Sequence, residues 1–435
     1  MKTVVVVNLG CPKNQIDAET MLGLMARAGY EITTRLEEAE VIIVNTCGFI
    51  EQAKEESINK ILEVAEHKKH GCCRQLIVSG CLSQRYQKQL PELLPEVDAY
   101  LGTGSIEDIL DVVESNASRL GRPSHYAGVA ETDRMFSTWP YGYLKIAEGC
   151  NNRCSYCVIP RLRGRLRSKN LEQIVNEAKR MLEAGIREIV LIAQDCSAYG
   201  LDTSGRSQLV SVLQALETLP GEFRVRVLYC YPDHINDDLI DFLSQSEKVV
   251  RYLDIPLQHS HPEILASMGR SNRNTDVEQL VGKLRERITG IALRTTFIVG
   301  YPGETETHYQ HLYDFAKRMK FAQLGAFVYS RERGTRAARL PDQVPNEEKQ
   351  RRYNFLMQMQ QRLVQANNQS MVDSVHRVLI DYVDSRRQIA QGRGYWQAPE
   401  IDNNIVIEAS SLKAGTFVDV RVNGVNGYNL RGVIG

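Results

Sequence analysis

The chain has 435 residues, more than one ordinary hydrophobic core holds, so we expect two or three domains. Its 53 Lys and Arg residues balance 53 Asp and Glu residues, which excludes a global basic field for nucleic acid or for a membrane surface. The N-terminal apolar run is too short for a signal peptide, and no apolar segment has the length of a membrane span. We therefore expect a cytoplasmic protein without a membrane partner, whose ten cysteines stay reduced and favour metal over disulfides.

In the N-terminal part, three cysteines each follow a run of β-branched residues and each precede a helical pattern. Cys11 follows TVVVVNLG, Cys47 follows VIIVNT and Cys81 follows LIVSG. The helices predicted after them cover residues 17–28, 49–67 and 82–94. Because the carboxyl ends of parallel strands share one edge of a sheet, the three thiols should meet there. This predicts an open parallel-sheet domain over residues 1–118 with a three-cysteine metal site; the alternative is three reduced cysteines buried as small hydrophobic residues.

A central α/β domain is predicted over residues 142–368, after a linker at 119–141 that is rich in turn and breaker residues. From Tyr143 onwards, six apolar strand patterns alternate with helical ones. Such alternation predicts right-handed βα units and a parallel sheet that curls into a partial (β/α)6 barrel. In barrels of this kind the active site lies at the carboxyl ends of the strands.

The spacing C-x3-C-x2-C directly after the first of these strands is formed by Cys150, Cys154 and Cys157. Thiolates this close suit an iron–sulfur cluster or zinc, both of which normally take four protein ligands. A triplet therefore leaves one metal position open to a small molecule, at the mouth of the barrel. The alternative is a structural zinc site, although zinc usually requires a closed tetrahedron.

Other polar and glycine residues end later strands of the same barrel. They are Gln194 and Asp195 in LIAQD, Gln258 and His259 in DIPLQH, and Gly300, Gly303 and Glu304 in IVGYPGE. The glycines would let the backbone approach a ligand, and Gln194 and Asp195 would need a polar partner. For His259, packing and substrate contact are both open. Cys196 and Cys230, also near strand ends, are predicted to pack in the core and not to bind metal.

The C-terminal part begins with a long polar-rich helix over residues 346–371, whose apolar residues recur at helical spacing and predict packing against the barrel. Short alternating β-segments then predict a barrel of about five strands over residues 369–435. From residue 371 on, seven basic residues balance seven acidic ones, so this module lacks the electrostatic footprint of an RNA-binding surface. A protein partner is favoured, although Arg386, Arg387 and Arg393 could form a local basic patch.

The chain resembles the radical S-adenosylmethionine (SAM) methylthiotransferases over nearly its whole length. NLGCPKNQIDAE, VNTCGFIEQAKEESI and SGCLSQRY are similar to the N-terminal domain of that family, and GCNNRCSYCVIPRLRGRLRS is similar to its radical SAM core. The C-terminal β module resembles a TRAM domain. Ser168-Lys169-Asn170 departs from the family, which more often has Ser-Arg-Pro at this place.

The resemblance implies two [4Fe–4S] clusters, with SAM acting both as radical source and as methyl donor. The implied ligands of the auxiliary cluster are Cys11, Cys47 and Cys81. The implied ligands of the SAM-cleaving cluster are Cys150, Cys154 and Cys157. The cofactor-binding residues expected around them are Tyr156, Gln194, Asp195, Gly300, Gly303 and Glu304.

Within the family, the stretches DIPLQHSHPEILASMGR and GRGYWQAPEID are similar to the branch that modifies an aspartate in small-subunit ribosomal protein twelve. The neutral β module agrees with a ribosomal protein substrate. The other branch modifies an adenosine in tRNA and is the main alternative. A metal-binding scaffold without activity and a radical SAM enzyme with one cluster also remain open. The sequence identifies neither the electron donor nor the sulfur source.

Overall fold

The N-terminal domain is built on a parallel sheet of five strands in the order β2-β1-β3-β4-β5. The computed structural model describes residues 2–121, 123, 134–270, 276–409 and 411–435. Residues 122 and 124–133 of the predicted linker lie outside them. The elements of this domain are β1 (Thr3–Asn8), α1 (Pro12–Arg27), β2 (Glu31–Ile32), β3 (Val41–Thr46), α2 (Glu51–Ala65), α3 (His67–His70), β4 (Gln75–Gly80), α4 (Cys81–Arg85), α5 (Leu90–Leu93), β5 (Ala99–Leu101) and α6 (Ile109–Ser115).

All three helices predicted in this domain have other bounds in the structure: the one predicted over residues 49–67 is α2 at Glu51–Ala65 followed by α3, and the other two differ for local reasons. Helix α1 begins at Pro12 and not at residue 17, because proline suits the first helical position and Cys11 takes the N-cap. The single helix predicted over residues 82–94 is instead split into α4 and α5, with Pro91 in the first turn of α5. Gly80 makes the tight entry to α4 possible: its φ is +97°, and a Cβ there would lie 2.5 Å from the Thr46 carbonyl oxygen.

The central domain contains a six-stranded parallel sheet in the order β13-β12-β11-β10-β9-β6. Its elements are β6 (Tyr141–Lys145), β7 (Ala147–Glu148), α7 (Ile159–Leu162), β8 (Arg167–Ser168), α8 (Leu171–Glu183), β9 (Glu188–Ile192), α9 (Leu201–Ser204), α10 (Leu209–Glu217), β10 (Arg224–Val227), α11 (Asp237–Gln245), β11 (Val249–Asp254), α12 (Pro262–Ser267), α13 (Val277–Arg287), β12 (Ala292–Val299), α14 (Glu306–Met319), β13 (Gln323–Val328) and α15 (Asn346–Ser370). The predicted partial (β/α)6 barrel is thereby confirmed.

The departure at Ser168-Lys169-Asn170 has a local structural use. The Lys169 ammonium pairs with the buried Glu177 carboxylate of α8. Asn170 is the N-cap of that helix, and its side-chain oxygen accepts the Glu172 N–H at 2.8 Å. Both residues therefore fix the start of α8 directly after β8, which follows the cysteine triplet in the sequence.

The C-terminal module is a closed five-stranded barrel in the order β14-β15-β16-β18-β17, as predicted. All its pairings are antiparallel except that of β16 with β18. Its strands are β14 (Val375–Asp384), β15 (Ile389–Arg393), β16 (Ile405–Glu408), β17 (Phe417–Asn426) and β18 (Asn429–Ile434). Within the described ranges, no helix of the chain is long and apolar enough to cross a membrane.

This module is attached to the central sheet at the amino ends of the central strands. The carboxylate of Glu188, the first residue of β9, is fully buried and pairs with Arg224, Arg226 and Arg393 at 2.8, 2.6 and 2.6 Å. Burial opposes the charge of Glu188, but the three arginines outweigh this effect and hold its pKa far below the usual value. Because Arg393 comes from β15, Glu188 joins the barrel module to the core.

We predict that Arg393→Met destabilises the chain by about 3–5 kcal/mol, because it removes one partner of a buried ion-pair network. Arg386→Met is the matched control: Arg386 is exposed on the same module, and its loss should change stability by less than about 0.5 kcal/mol. Urea unfolding followed by circular dichroism measures both. Equal stability of the two variants would contradict the role given to Glu188.

Candidate functional site

The first three cysteines lie together at the carboxyl edge of the N-terminal sheet. Cys11 occupies the N-cap position of α1, Cys47 follows β3, and Cys81 is the first residue of α4. The side-chain oxygen of Asn14 lies 4.0 Å from the sulfur of Cys11 and 4.0 Å from that of Cys81. A Cβ on Gly10 would lie 3.5 Å from the Cys47 sulfur, so all three thiols share one small region. Their exposure falls from Cys11, which is exposed, to Cys81, which is buried.

Asn14 was missed at the sequence level, although it lies one helical turn after Cys11. Its amide nitrogen donates to the Leu9 and Thr46 carbonyl oxygens, both at 2.9 Å. These two bonds fix the side chain and turn its oxygen toward the thiols. The residue is fully buried, so it belongs to the frame of this three-cysteine group.

The second three cysteines lie on the loop between β7 and α7, at the carboxyl edge of the central sheet. The Cys150 N–H donates to the Gly164 carbonyl oxygen at 3.1 Å, and the Cys157 N–H donates to the Cys154 carbonyl oxygen at 3.2 Å. A guanidinium nitrogen of Arg270 lies 3.6 Å from the Cys154 sulfur. Backbone hydrogen bonds thus hold the loop in place, and the Arg270 guanidinium lies beside one of its thiols.

Burial suppresses ionisation of these thiols in the metal-free chain. It raises the pKa of Cys81, Cys150 and Cys157 to about 12, and it also raises the pKa of Cys47. All ten cysteines are free of disulfides. Each group of three thiols fits an iron–sulfur cluster that keeps one iron open.

Arg163 connects the two cysteine groups. Its side chain is 2% exposed, and one terminal nitrogen donates to the Asn14 oxygen at 2.7 Å while lying 3.7 Å from the Cys81 sulfur. The other terminal nitrogen donates to Asp17 at 2.7 Å and to Glu148 at 3.3 Å. Arg163 follows Cys157 by six residues, so one side chain ties the loop of the second group to the frame of the first.

Glu148 and Gln194 form the polar floor between these groups. Burial opposes the charge of Glu148, but Lys145 and Arg163 outweigh it, so its pKa lies well below the usual value. The Lys145 ammonium donates to Glu148 at 2.8 Å, and the Gln194 amide nitrogen donates to it at 2.5 Å. The side-chain oxygen of Gln194 is buried and has no hydrogen-bond partner among the described residues. It is therefore placed to accept a hydrogen bond from a ligand.

Asp195 lies beside Gln194, but its carboxylate is already fully used inside the protein. It accepts hydrogen bonds from the Asn152 amide at 3.0 Å and the Ser197 hydroxyl at 2.6 Å, and the His234 ring lies at 3.0 Å. Burial works against its charge, and these partners nevertheless lower its pKa. Because Asn152 belongs to the cysteine loop, Asp195 supports that loop.

The residues predicted as ligand contacts in the turn after β12, which are Gly300, Gly303 and Glu304, differ in what they contact. Glu304 is buried and accepts from the Gly300 N–H at 2.9 Å and from Arg352 at 2.7 Å. His259 is also buried and lies 3.4 Å from the second Glu304 oxygen, which supports packing over substrate contact. A Cβ on Gly300 would lie 2.2 Å from Lys349, so helix α15 requires this glycine. Gly303 has open space where a Cβ would be.

Tyr156 packs into an apolar group that closes the back of the cysteine loop. This group contains Ile264, Met268, Tyr301 and Tyr329. The preceding Ser155 hydroxyl lies 2.7 Å from the Tyr301 hydroxyl, which attaches the loop to the turn after β12. The position of Tyr156 thus indicates a packing role next to Cys154 and Cys157.

Lys13 reaches from the first turn of α1 across to the central domain. Its ammonium lies 3.6 Å from the centre of the Tyr229 ring, which follows β10. Burial lowers its pKa. Tyr229 has a φ of +61°, an uncommon value for an aromatic residue. The two residues therefore meet where the N-terminal domain faces the mouth of the barrel.

His261, Glu263 and His308 form a separate group whose possible ligand atoms lie within 4.8 Å of one another. Both imidazoles are already used at helix starts. His261 Nδ1 accepts the Glu263 N–H at 3.3 Å, and His308 Nδ1 accepts the Thr305 N–H at 3.2 Å. His261 is the N-cap of α12, and His308 completes the capping box with Thr305 at the start of α14.

Family models match three stretches of the chain. The model described as Uncharacterized protein family UPF0004 matches residues 3–102, the Radical SAM superfamily matches residues 144–316, and the TRAM domain matches residues 373–434. The chain is therefore a radical SAM protein with an N-terminal UPF0004 domain and a C-terminal TRAM domain. A radical SAM domain implies an iron–sulfur cluster and SAM.

Curated relatives match the chain from end to end. The ribosomal protein uS12 methylthiotransferase RimO of Geobacter sulfurreducens is 45% identical over 99% of this chain and 98% of that one. The protein of the same name from Acetivibrio thermocellus is 42% identical over 100% and 98%. The chain belongs to the RimO family of radical SAM methylthiotransferases.

Solved structures share the fold at low sequence identity. The radical SAM methyltransferase TsrM from Kitasatospora setae has a TM-score of 0.57 and 16% identity, over 75% of each chain. The cobalamin-dependent SAM radical enzyme OxsB has a TM-score of 0.52 and 13% identity, over 82% of this chain and 56% of that one. These two similarities support the architecture described above.

We predict that the metal-free protein loses stability as the pH rises from 9 to 12. The folded state holds the pKa of Cys150 and Cys157 at about 12 against an ordinary 9.0, so the unfolded chain releases these protons first. The stabilisation is complete below pH 9 and falls by at most about 1.4 kcal/mol per pH unit for each thiol. Melting temperatures across this range measure the effect. The double variant Cys150→Ala/Cys157→Ala should show a shallower decline, and an identical decline would contradict the assignment.

Proposed function

We propose that this chain adds a methylthio group to the β-carbon of an aspartate in ribosomal protein uS12. Two cofactor sites would serve this reaction. Cys150, Cys154 and Cys157 would hold the cluster at which SAM is cleaved, and Cys11, Cys47 and Cys81 would hold an auxiliary [4Fe–4S] cluster. When bound, the first cluster supplies an electron for radical formation and the second supplies the position from which sulfur is transferred.

The observation that carries this proposal is the connection of the two cysteine groups through Arg163. One guanidinium contacts both the Cys81 sulfur and the Glu148 carboxylate, and Glu148 comes two residues before Cys150. Sulfur transfer to a carbon radical requires both sites to face one substrate position. A radical SAM enzyme with a single cluster would have no need for the first group.

Residues of the chain would hold SAM and the cysteine loop in place. Gln194 would bind SAM through its unpartnered oxygen, and Gly303 leaves room beside the turn after β12. Asp195 and Glu304 would act indirectly, because their carboxylates already hold the loop and the turn. Tyr156 would pack behind the loop. Gly300 would shape the turn for Lys349.

The substrate class is supported by the relatives and by the charge of the chain. The relatives are named for ribosomal protein uS12. The C-terminal module carries no excess of basic residues, whereas binding of an RNA backbone depends on Lys and Arg. In that module Arg393 is buried in ion pairs with Glu188 and Asp381, so it adds nothing to a surface patch with Arg386 and Arg387.

The test is a reaction of the anaerobically reconstituted protein with SAM, a strong reductant and sulfide, offered uS12 and unmodified tRNA together. We expect mass spectrometry to find one methylthio group in place of one hydrogen on an aspartate of uS12. Modification of tRNA alone would overturn the substrate assignment. Production of 5′-deoxyadenosine without any methylthio transfer would overturn the proposed reaction.

A pair of cysteine variants separates the two cofactor sites. Cys47→Ala should abolish methylthio transfer, by at least about a hundredfold, while SAM cleavage to 5′-deoxyadenosine continues, because the radical SAM loop is intact. Cys150→Ala should abolish both. Cys72→Ala, at an exposed cysteine outside both groups, is the matched control and should keep both activities. Full transfer by Cys47→Ala would rule out the auxiliary site.

A further inference from the structure

Lys13 is a cation at the domain boundary that lacks a carboxylate partner among the described residues. Its one close partner there is the ring of Tyr229, at 3.6 Å. The thiols of Cys11 and Cys196 and the carboxylate of Glu148 act on its charge, and Glu148 already accepts hydrogen bonds from Lys145, Arg163 and Gln194. A cation at this place suits a ligand that carries a negative charge of its own.

Tyr229 is held in a strained conformation at the same place. Its φ is +61°, a region that aromatic residues rarely adopt, and such strain concentrates at functional sites. The Tyr229 N–H donates to Asp254 at 3.1 Å, and its carbonyl oxygen accepts the Cys196 N–H at 2.9 Å. These two bonds fix the backbone, so the ring is held under the Lys13 ammonium.

The position of this pair relative to the cysteines is also set by short connections. Lys13 comes two residues after Cys11, in the first turn of α1. Cys196, whose N–H donates a hydrogen bond to the Tyr229 carbonyl oxygen, follows Gln194 by two residues. The pair therefore lies between the first cysteine group and the floor formed by Glu148 and Gln194.

We propose that Lys13, supported by the Tyr229 ring, binds the side-chain carboxylate of the substrate aspartate; this inference rests on the proposed function. The carboxylate carbon is bonded directly to the β-carbon that is modified. Holding the carboxylate therefore places the β-carbon on the side of the Lys13–Tyr229 pair where Cys11 lies. A lysine suits this task because its ammonium is a compact charge on a flexible stem that can follow the substrate. It also selects aspartate over asparagine, since an amide leaves the cation unpaired.

The test measures binding, by calorimetry, of uS12 and of uS12 with the modified aspartate replaced by asparagine. The reconstituted holoenzyme is used without reductant, so no turnover occurs. The unaltered enzyme should bind the aspartate form about ten- to a hundredfold more tightly, as expected for a charged hydrogen bond. Lys13→Gln should bring this ratio close to one, whereas Lys13→Arg should retain most of it. Lys179→Gln, at an exposed lysine on α8, is the control and should leave the ratio unchanged.

Each outcome separates this inference from the proposed function. A full preference for aspartate in Lys13→Gln, with iron content equal to that of the unaltered enzyme, would overturn the role of Lys13 and leave the proposed function standing. Absence of both binding and methylthio transfer with unaltered enzyme and uS12 would overturn the proposed function and the inference with it. If Lys13→Gln loses iron or fails to fold, the same ratio measured with Lys13→Met, which keeps an unbranched side chain without the charge, decides: a retained preference rejects the site.

Discussion

The burial of Arg163 is the constraint on which the candidate site depends. A guanidinium removed from water is costly unless every donor finds a partner, and Asp17, Glu148 and Asn14 are the partners here. These partners come from both domains. The N-terminal sheet and the barrel can therefore satisfy this charge only in the relative position that brings the two cysteine groups together.

Other polar residues of the site are organised around this one charge. Asn14 is held by backbone carbonyls and can offer only its oxygen to Arg163, so the start of α1 is fixed in rotation. Glu148 shares its oxygens among Arg163, Lys145 and Gln194, which leaves one Gln194 oxygen free to meet a ligand. The same rotation of α1 carries Lys13 over the barrel. Electrostatic pairing, domain docking and ligand contact are thus consequences of one arrangement.

The sequence predicted what depends on local pattern. Runs such as VIIVNT identify buried strands, and the three sheets could be predicted from such strand patterns. A cysteine directly after a strand lies at the edge of the sheet, so the two cysteine groups could be predicted as well. Contacts between distant residues gave no local signal: Arg163 and Asn14 are 149 positions apart. Asp195 and Glu304 follow strands as a ligand contact would, yet Asp195 accepts a hydrogen bond from Asn152 and Glu304 accepts one from Gly300, which only the fold can reveal. The placement of the β module likewise depended on Glu188 meeting Arg393.

The position of that module determines how a protein segment can enter. It packs on the amino ends of the barrel strands, where Tyr141 and Tyr143 donate to the two oxygens of Glu400 and Tyr252 donates to Asp402. The C-terminal module closes this end of the barrel, so a polypeptide cannot pass through the barrel from one end to the other. A substrate residue must instead be presented at the tip of a turn or a chain end and withdraw by the way it came. The enzyme would then select for the local shape of a protruding loop as much as for its sequence.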